Sequence, residues 1–334
     1  MRQLPRPGPR NLITDVAGLM VGHADDSAAG TGVTTLVCEG FYNASVDVRG
    51  GGPGVRETET LAAENLVGRA HAVVLSGGSV FGLAAADGVV AALSARGVGL
   101  HLKPGSPAIP IVPAAVLHDL ANPGDKAWGL DPPYRRLGMA SLDAAGPQFA
   151  LGSAGAGLGA MAGLIKGGVG SASLDMGGGL VAGALIVANP VGSVMTPDGR
   201  AFWAWPFEID GEFGGGRPDP AVGAIDPVPD DGRLASLGRL QPGAATTIGV
   251  VATTADLTTA ECKRLAMMAH DGLARAVRPA HMPFDGDTLF AIATGACSIG
   301  HGDDRAVRLA AIGSAAADCT ARAIARGVHE ALKG

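Results

Sequence analysis

The chain has 334 residues, of which 47% are hydrophobic, 17% charged and 4% aromatic. That balance belongs to a globular protein with much interior and little charged surface, and 53 glycines require many turns and close backbone contacts. A formal net charge of -6 without a basic cluster argues against nucleic acid and anionic membrane as partners.

Ile13 to Gly22 and Gly32 to Val37 read as short strands separated by a polar turn from His23 to Ser27. The run Gly50-Gly51-Gly52-Pro53-Gly54 is a turn or a loop that another backbone approaches closely. Ala72 to Leu75 is a short buried strand, followed by Ser76-Gly77-Gly78-Ser79 and a helix through Phe81, Ala85, Val89 and Leu93. Phosphate loops share this order, but no Gly-Lys-Ser/Thr ending is present and Gly77 to Gly82 lacks dinucleotide spacing, so tight packing of the turn is the better account. Leu117 to Leu120 falls in a helix or turn, and Leu130 to Phe149 in a surface connection with one short helix. From Gly152 to Ala160 the residues are so small that backbones must pass closely. Leu180 to Ala188 is a buried strand that leaves the Asn189 amide at its end, before Pro190. Residues 200–243, rich in Pro, Gly and Asp, predict a long mobile loop.

The stretch from Ala245 to Asp287 carries the most information. Thr246-Thr247 opens the β-branched run Ile248 to Thr253, a buried strand with hydroxyls at its start. Thr258-Thr259-Ala260-Glu261 is a capping box, and Leu265, Met268, Ala269, Leu273 and Ala276 follow at helical spacing before Pro279. The chain then returns through Asp285-Gly286-Asp287 into the apolar run Leu289 to Ala293, a path that brings both carboxylates back beside Thr246. Asp303 or Asp304 is expected to cap a last helix through Val307, Ala311, Ala315 and Cys319, and His270, His301 and His329 read as surface or helix-face residues.

No apolar run reaches membrane-spanning length and no apolar stretch follows the basic N-terminal residues, so a cytoplasmic protein is expected. Cys38, Cys262, Cys297 and Cys319 are widely separated and read as reduced thiols. No linker or repeat divides residues 1–334, which are expected to form one domain, and the low charged content predicts a homo-oligomer that hides surface.

Thr246, Lys166, Asn189, Asp285 and Asp287 form a candidate catalytic set, with His118 outside it. A threonine hydroxyl is a weak nucleophile that needs an adjacent base, and in one class of hydrolases that base is its own α-amino group, freed by self-cleavage. An Asp-x-Asp loop can hold such an ammonium, or a lysine, by charge-assisted hydrogen bonds, and a strand-end amide can stabilise an oxyanion. Singly, each residue has a plainer reading: strand start, solvated lysine, or turn. His281 near the two aspartates completes no metal-ligand spacing, so neither metal nor cofactor is expected.

The combination resembles the DmpA-like family of L-aminopeptidase D-esterase/amidases, β-peptidyl aminopeptidases and nylon-oligomer hydrolases. Matching stretches are Arg49-Gly50-Gly51-Gly52-Pro53-Gly54 with Arg56-Glu57-Thr58, Ser76 to Leu83 with Ala86-Asp87-Gly88, Lys166 to Ser173, Ala188 to Gly192, Thr246 to Thr253, and Ala269-His270-Asp271-Gly272 through Asp285-Gly286-Asp287-Thr288. They cover nearly the whole chain. The resemblance implies an α/β fold, a four-layer αββα sandwich, forming one catalytic domain whose precursor cuts itself between Ala245 and Thr246 into residues 1–245 and 246–334. It implies Thr246 as nucleophile with its α-amino group as base, Asn189 at the oxyanion, Lys166, Asp285 and Asp287 around the amine, and His118, Gly77 and Gly78 at the substrate. It further implies a tetramer and a small peptide or ω-amino-acid amide as substrate.

Two departures stand out. Ala245 occupies the place where the family usually has Asn or Gly, although Ala-Thr is the junction of the similarly folded ornithine acetyltransferases. His118 stands where relatives carry Tyr. An acyltransferase of the ornithine acetyltransferase kind, and an uncleaved inactive or binding homologue, are the rival expectations.

Overall fold

Strand β2 (Thr31–Val48) belongs to two layers at once, and the rest of the architecture follows from it. The computed structural model describes residues 6–223, 225–233 and 245–334. The first half of β2 forms a hairpin with β1 (Leu19–Asp26), with Leu19 opposite Cys38, and pairs on its other edge with β4 (Arg69–Ser76). Its second half pairs antiparallel with β11 (Thr288–Cys297), with Thr288 opposite Val48. Between them the register against β4 shifts from Val37 to Tyr42, the kind of irregularity that bends a strand and increases its twist.

Hydrogen bonding therefore runs through one nine-stranded sheet, in the order β3-β5-β4-β2-β11-β10-β9-β8 with β1 added to β2. Here β3 is Val55–Arg56, β5 Ala114–Val116, β8 Gly168–Asp175, β9 Val181–Asn189 and β10 Thr246–Ala255. The bend in β2 folds the sheet into two leaves facing each other. Leu36, Val73 and Leu75 of one leaf meet Leu185, Val187, Ile248, Val250 and Phe290 of the other in one buried cluster. Each such side chain removed from water contributes about 1.5–3 kcal/mol.

The period-2 alternation of strands decides what covers the outer faces. Val33, Ala72, Val74 and Ala114 point outward from the first leaf and are covered by α1 (Ala84–Ala95) and α2 (Tyr134–Asp143). Ala184, Ile186, Val251, Leu289 and Ala291 point outward from the second and are covered by α3 (Thr259–Ala276) and α4 (Gly302–Lys333). The result is the expected αββα sandwich.

Local sequence accounts for α3. The Thr258 hydroxyl accepts the Glu261 N–H at 3.3 Å, the Glu261 carboxylate accepts the Thr258 N–H at 2.8 Å, and Leu265, Ala269, Leu273 and Ala276 are buried on one stripe. Several expectations need correction. His23 lies within β1, since that strand continues to Asp26. Of the helix or turn expected at residues 117–120, the structure has the turn, closed by the Asn122 N–H on the Asp119 carbonyl at 3.1 Å. α4 begins at Gly302 after His301 without a side-chain cap, so Asp303 and Asp304 sit in its first turn. His270 is buried, at 1% exposure.

Residues 200–223 and 225–233 contain no strand or α-helix, yet they are anchored. Phe202 and Phe213 meet edge to face at 5.7 Å, and Glu212 accepts from the buried Arg322 at 2.5 Å. The rest of the expected loop, 234–243, lies outside the described residues. Lys166 falls in a small hairpin of β6 (Met161–Ala162) and β7 (Ile165–Lys166). Among the described residues no helix is long and apolar enough to cross a membrane.

The contact of α3 with α4 depends on Gly272, where a Cβ would lie 1.9 Å from the Ala317 carbonyl oxygen. Gly272→Ala should therefore lower stability by about 1–3 kcal/mol as the helices separate. Chemical denaturation checks this, and an unchanged midpoint would contradict the packing.

Candidate active site

Three strand ends coincide at one end of the second leaf. Thr246, the first residue of β10, is register partner to Asn189, the last of β9, and Ile248 pairs in parallel with Thr288, the first of β11. The glycine loop after β2 lies along the Asp-Gly-Asp loop: Arg49 N–H donates to the Asp287 carbonyl at 2.9 Å, Gly51 N–H to Met282 at 3.2 Å and Gly52 N–H to Asp285 at 2.8 Å. This approach requires glycine, because a Cβ on Gly50 would sit 2.3 Å from the Asp285 carbonyl oxygen.

Alternation also separates the two threonines. Ile248 and Val250 point between the leaves, so Thr246 does too, whereas Thr247 points outward with its hydroxyl buried and unpartnered. Thr246, 1% exposed, borders a cleft of about 340 Å³ whose walls include Gly52, Gly54, Ser79, Val116 and His118. Its hydroxyl donates to the carbonyl of Ala245 at 2.5 Å, and the Gly286 N–H donates to that same carbonyl at 3.0 Å. Ala245 forms a parallel bridge with Asp285, and its methyl packs in a small apolar cluster with Val191, Met282 and Phe284. A polar side chain at position 245 would have to enter that cluster.

Both carboxylates are buried beside this peptide. Asp285 accepts the Val191 N–H at 3.2 Å and the Met282 N–H at 2.9 Å. Burial, and then the charge of Asp287, push its pKa up to about 7, against the pull of those N–H groups and of Arg233. Asp287 accepts the Thr247 N–H at 2.8 Å through one oxygen, and the backbone N–H and ring Nδ1 of His281 through the other, at 3.1 and 2.8 Å. The Asn189 amide is fixed by the Met161 N–H at 2.9 Å and donates at 3.4 Å to the His118 carbonyl on the cleft side.

The structure thus brings Thr246, Asn189, Asp285 and Asp287 together, with His118 half-buried in the cleft wall. Gly77 and Gly78 do not belong to the cleft lining: they are buried against Asp119 and Tyr134, the Gly78 N–H donating to Asp119 at 2.8 Å, and Ser79 next to them reaches the lining. Lys166 stands apart: its side chain is exposed, and no hydrogen bond or ion pair connects it to the other four.

The cation beside Asp285 is Arg233, which donates to the carbonyls of Met161, Asn189 and Pro190 at 3.0, 2.7 and 2.7 Å. Burial lowers its pKa to about 10, so it stays charged at neutral pH. Arg233 escaped the sequence reading because it follows Pro229-Asp230-Asp231-Gly232 in a segment with no periodicity, and the Gly286 N–H because a backbone donor leaves no trace in residue type. Among the described residues no cluster of His, Cys, Asp and Glu could hold a metal ion.

Solved structures share the fold. A β-aminopeptidase from Burkholderia sp. superposes with a TM-score of 0.68 at 24% identity, over 98% of this chain and 88% of that one. The L-aminopeptidase D-Ala-esterase/amidase of Ochrobactrum anthropi, described as a variant of the Ntn hydrolase fold, does so at 0.65 and 20% identity, over 99% and 88%. Sequence narrows this. An uncharacterised aminopeptidase of Mycobacterium bovis is 42% identical over 96% of this chain and 94% of its own length, and a 6-aminohexanoate-oligomer endohydrolase of Kocuria sp. is 30% identical over 86% and 76%. The chain belongs to peptidase family S58, whose profile matches residues 11–333, and is a hydrolase of peptide or linear amide bonds.

The raised pKa of Asp285 has a thermodynamic consequence. An unfolded Asp ionises near pH 3.9, so from about pH 4 to about pH 7 the unfolded state loses this proton while the folded state keeps it. Stability falls across that window, by about 1.4 kcal/mol for each unit of displacement. Asp285→Asn removes the ionisation, so between pH 5 and pH 8 its melting temperature should fall less than that of the wild type. Parallel curves for the two proteins would show that Asp285 ionises without cost.

Proposed function

We propose that this chain is a self-processing amide hydrolase whose nucleophile is Thr246, released as an N-terminus by cleavage of the Ala245–Thr246 bond. The observation that carries the reading is the pair of donors on the Ala245 carbonyl, the Thr246 hydroxyl at 2.5 Å and the Gly286 N–H at 3.0 Å. The hydroxyl lies against the carbonyl it would attack, and the amide is aimed at the oxygen on which charge would develop. Attack by Oγ forms the C–O bond. The hydroxyl proton goes to the Thr246 nitrogen as the C–N bond breaks, leaving an ester of Ala245 on Thr246. Water hydrolyses that ester, yielding the Ala245 carboxylate and a free Thr246 hydroxyl and α-amine.

In turnover the α-amine takes the Oγ proton while Oγ attacks a substrate amide in the cleft. The leaving amine departs protonated and water releases the acid from Thr246. Asn189 is the donor to the oxyanion in this reading, supported by its register pairing with Thr246 and by an Nδ2 whose contact to the His118 carbonyl is long, at 3.4 Å. Asp285 and Asp287 flank residues 245–247, and an ammonium at Thr246 would draw the Asp285 proton off and be held by the resulting negative charge. Substrates are small amino-terminated peptides or ω-amino-acid amides and oligomers. The support for this substrate class comes from relatives named as an aminopeptidase and as a 6-aminohexanoate-oligomer endohydrolase.

Intact mass under denaturing conditions should give two polypeptides, the smaller beginning Thr246-Thr247-Ile248. Thr246→Ala should give one full-length chain without amidase activity. A wild-type protein that hydrolyses amides as a single uncut chain would overturn the reading.

A further inference from the structure

His281 takes no part in the chemistry above, yet its backbone and ring both converge on one carboxylate oxygen. Its φ is 56°, in the left-handed region that side-chain-bearing residues seldom occupy. From that conformation its N–H and its Nδ1 reach the same Asp287 oxygen, at 3.1 and 2.8 Å. The other oxygen accepts the Thr247 N–H, one residue from the nucleophile. The ring is held from behind as well. It lies edge-on to His270 with centroids 4.9 Å apart, and His270 Nε2 is 3.0 Å from the Asp47 carbonyl, an acceptor only, so Nε2 carries the proton. Asp47 is in turn gripped by Arg49 at 2.8 Å and Lys263 at 2.7 Å. Burial drives the pKa of His270 down to about 4, so it faces His281 as a neutral ring.

We propose that His281 is a positioning residue for the reaction: its ring N–H fixes the Asp287 carboxylate, and the carboxylate, through the Thr247 N–H, fixes Thr246 against its target carbonyl. This rests on Thr246 being the nucleophile. The backbone N–H of His281 alone would occupy the outer oxygen without fixing the tilt of the carboxylate, and a tilt moves the strand end that the inner oxygen holds. Because His281 is not in the cleft wall, its effect belongs to the chemical step and not to substrate affinity.

His281→Gly and His281→Asn separate the ring donor from the backbone strain. Both residues accept the left-handed conformation, and only Asn returns an N–H near the oxygen. H281G should slow self-cleavage and lower kcat on the order of tenfold to a hundredfold, with KM within about twofold, and H281N should recover most of both rates. Wild-type rates in H281G, equal loss in the two variants, or a change confined to KM would overturn the proposal. If H281G does not fold, H281N decides: retention of both rates supports the ring donor and loss refutes it. A wild-type protein that never yields a fragment beginning at Thr246 removes the nucleophile itself and this role with it, an outcome visible without either variant.

Discussion

Two carboxylates taken out of water two residues apart are an expense of several kcal/mol per ion unless their oxygens are occupied, and the whole site is arranged around that need. The donors come from unrelated parts of the chain: Val191 after β9, Thr247 in β10, and His281 and Met282 in the loop before β11. The backbone carbonyls of the same two aspartates accept from the glycine loop that follows β2. None of these segments is near another in sequence, so the site exists only when the second leaf has formed. Its residual imbalance is concentrated on Asp285, which keeps its proton far above the usual carboxylate range.

The cleft lies where the two leaves part. Thr246 comes from the second leaf, while Val55, Ser79, Leu83 and Val116 in the opposite wall come from the first leaf or its connections. Neither leaf alone would enclose it. The bend of β2 that stacks the leaves is therefore also what faces Thr246 toward a wall built by distant residues.

What the sequence disclosed and withheld follows from the range of each interaction. The Thr258–Glu261 capping box and the stripe Leu265, Ala269, Leu273 are local, and the structure contains them as read. The placement of Thr246 at a buried strand start follows from the β-branched run behind it, and that of Asn189 from the apolar run ahead of it. The sequence pattern ends this strand at Val37 because Glu39-Gly40-Phe41-Tyr42 interrupts its alternation, whereas pairing with β1, β4 and β11 carries β2 on to Val48. His270 lies on a helix face, one of its two expected settings, but buried, since nothing local announces that a backbone carbonyl of β2 awaits it. Arg233 is placed by three carbonyls of β6, β9 and the turn beyond, and Lys166, the more conspicuous cation in the motif, points to solvent.

The strand order has a consequence for the molecularity of folding. β10 and β11 lie in the interior of the sheet, with β9 on one side and β2 on the other, and α3 and α4 form the outer layer over them. A cut at Ala245–Thr246 as proposed would sever the connection from β9 to β10 and turn this central block into a separate polypeptide, held by a hydrogen-bonded ladder on each side. Uncut, the chain would fold as one molecule, with the tether supplying a high effective concentration of the block. After cleavage, recovery from denaturation requires two chains to meet, so the mature protein would depend on dilution in a way its precursor does not. The covalent link would serve once, as an assembly aid, and persistence thereafter would be governed by the rate of unfolding.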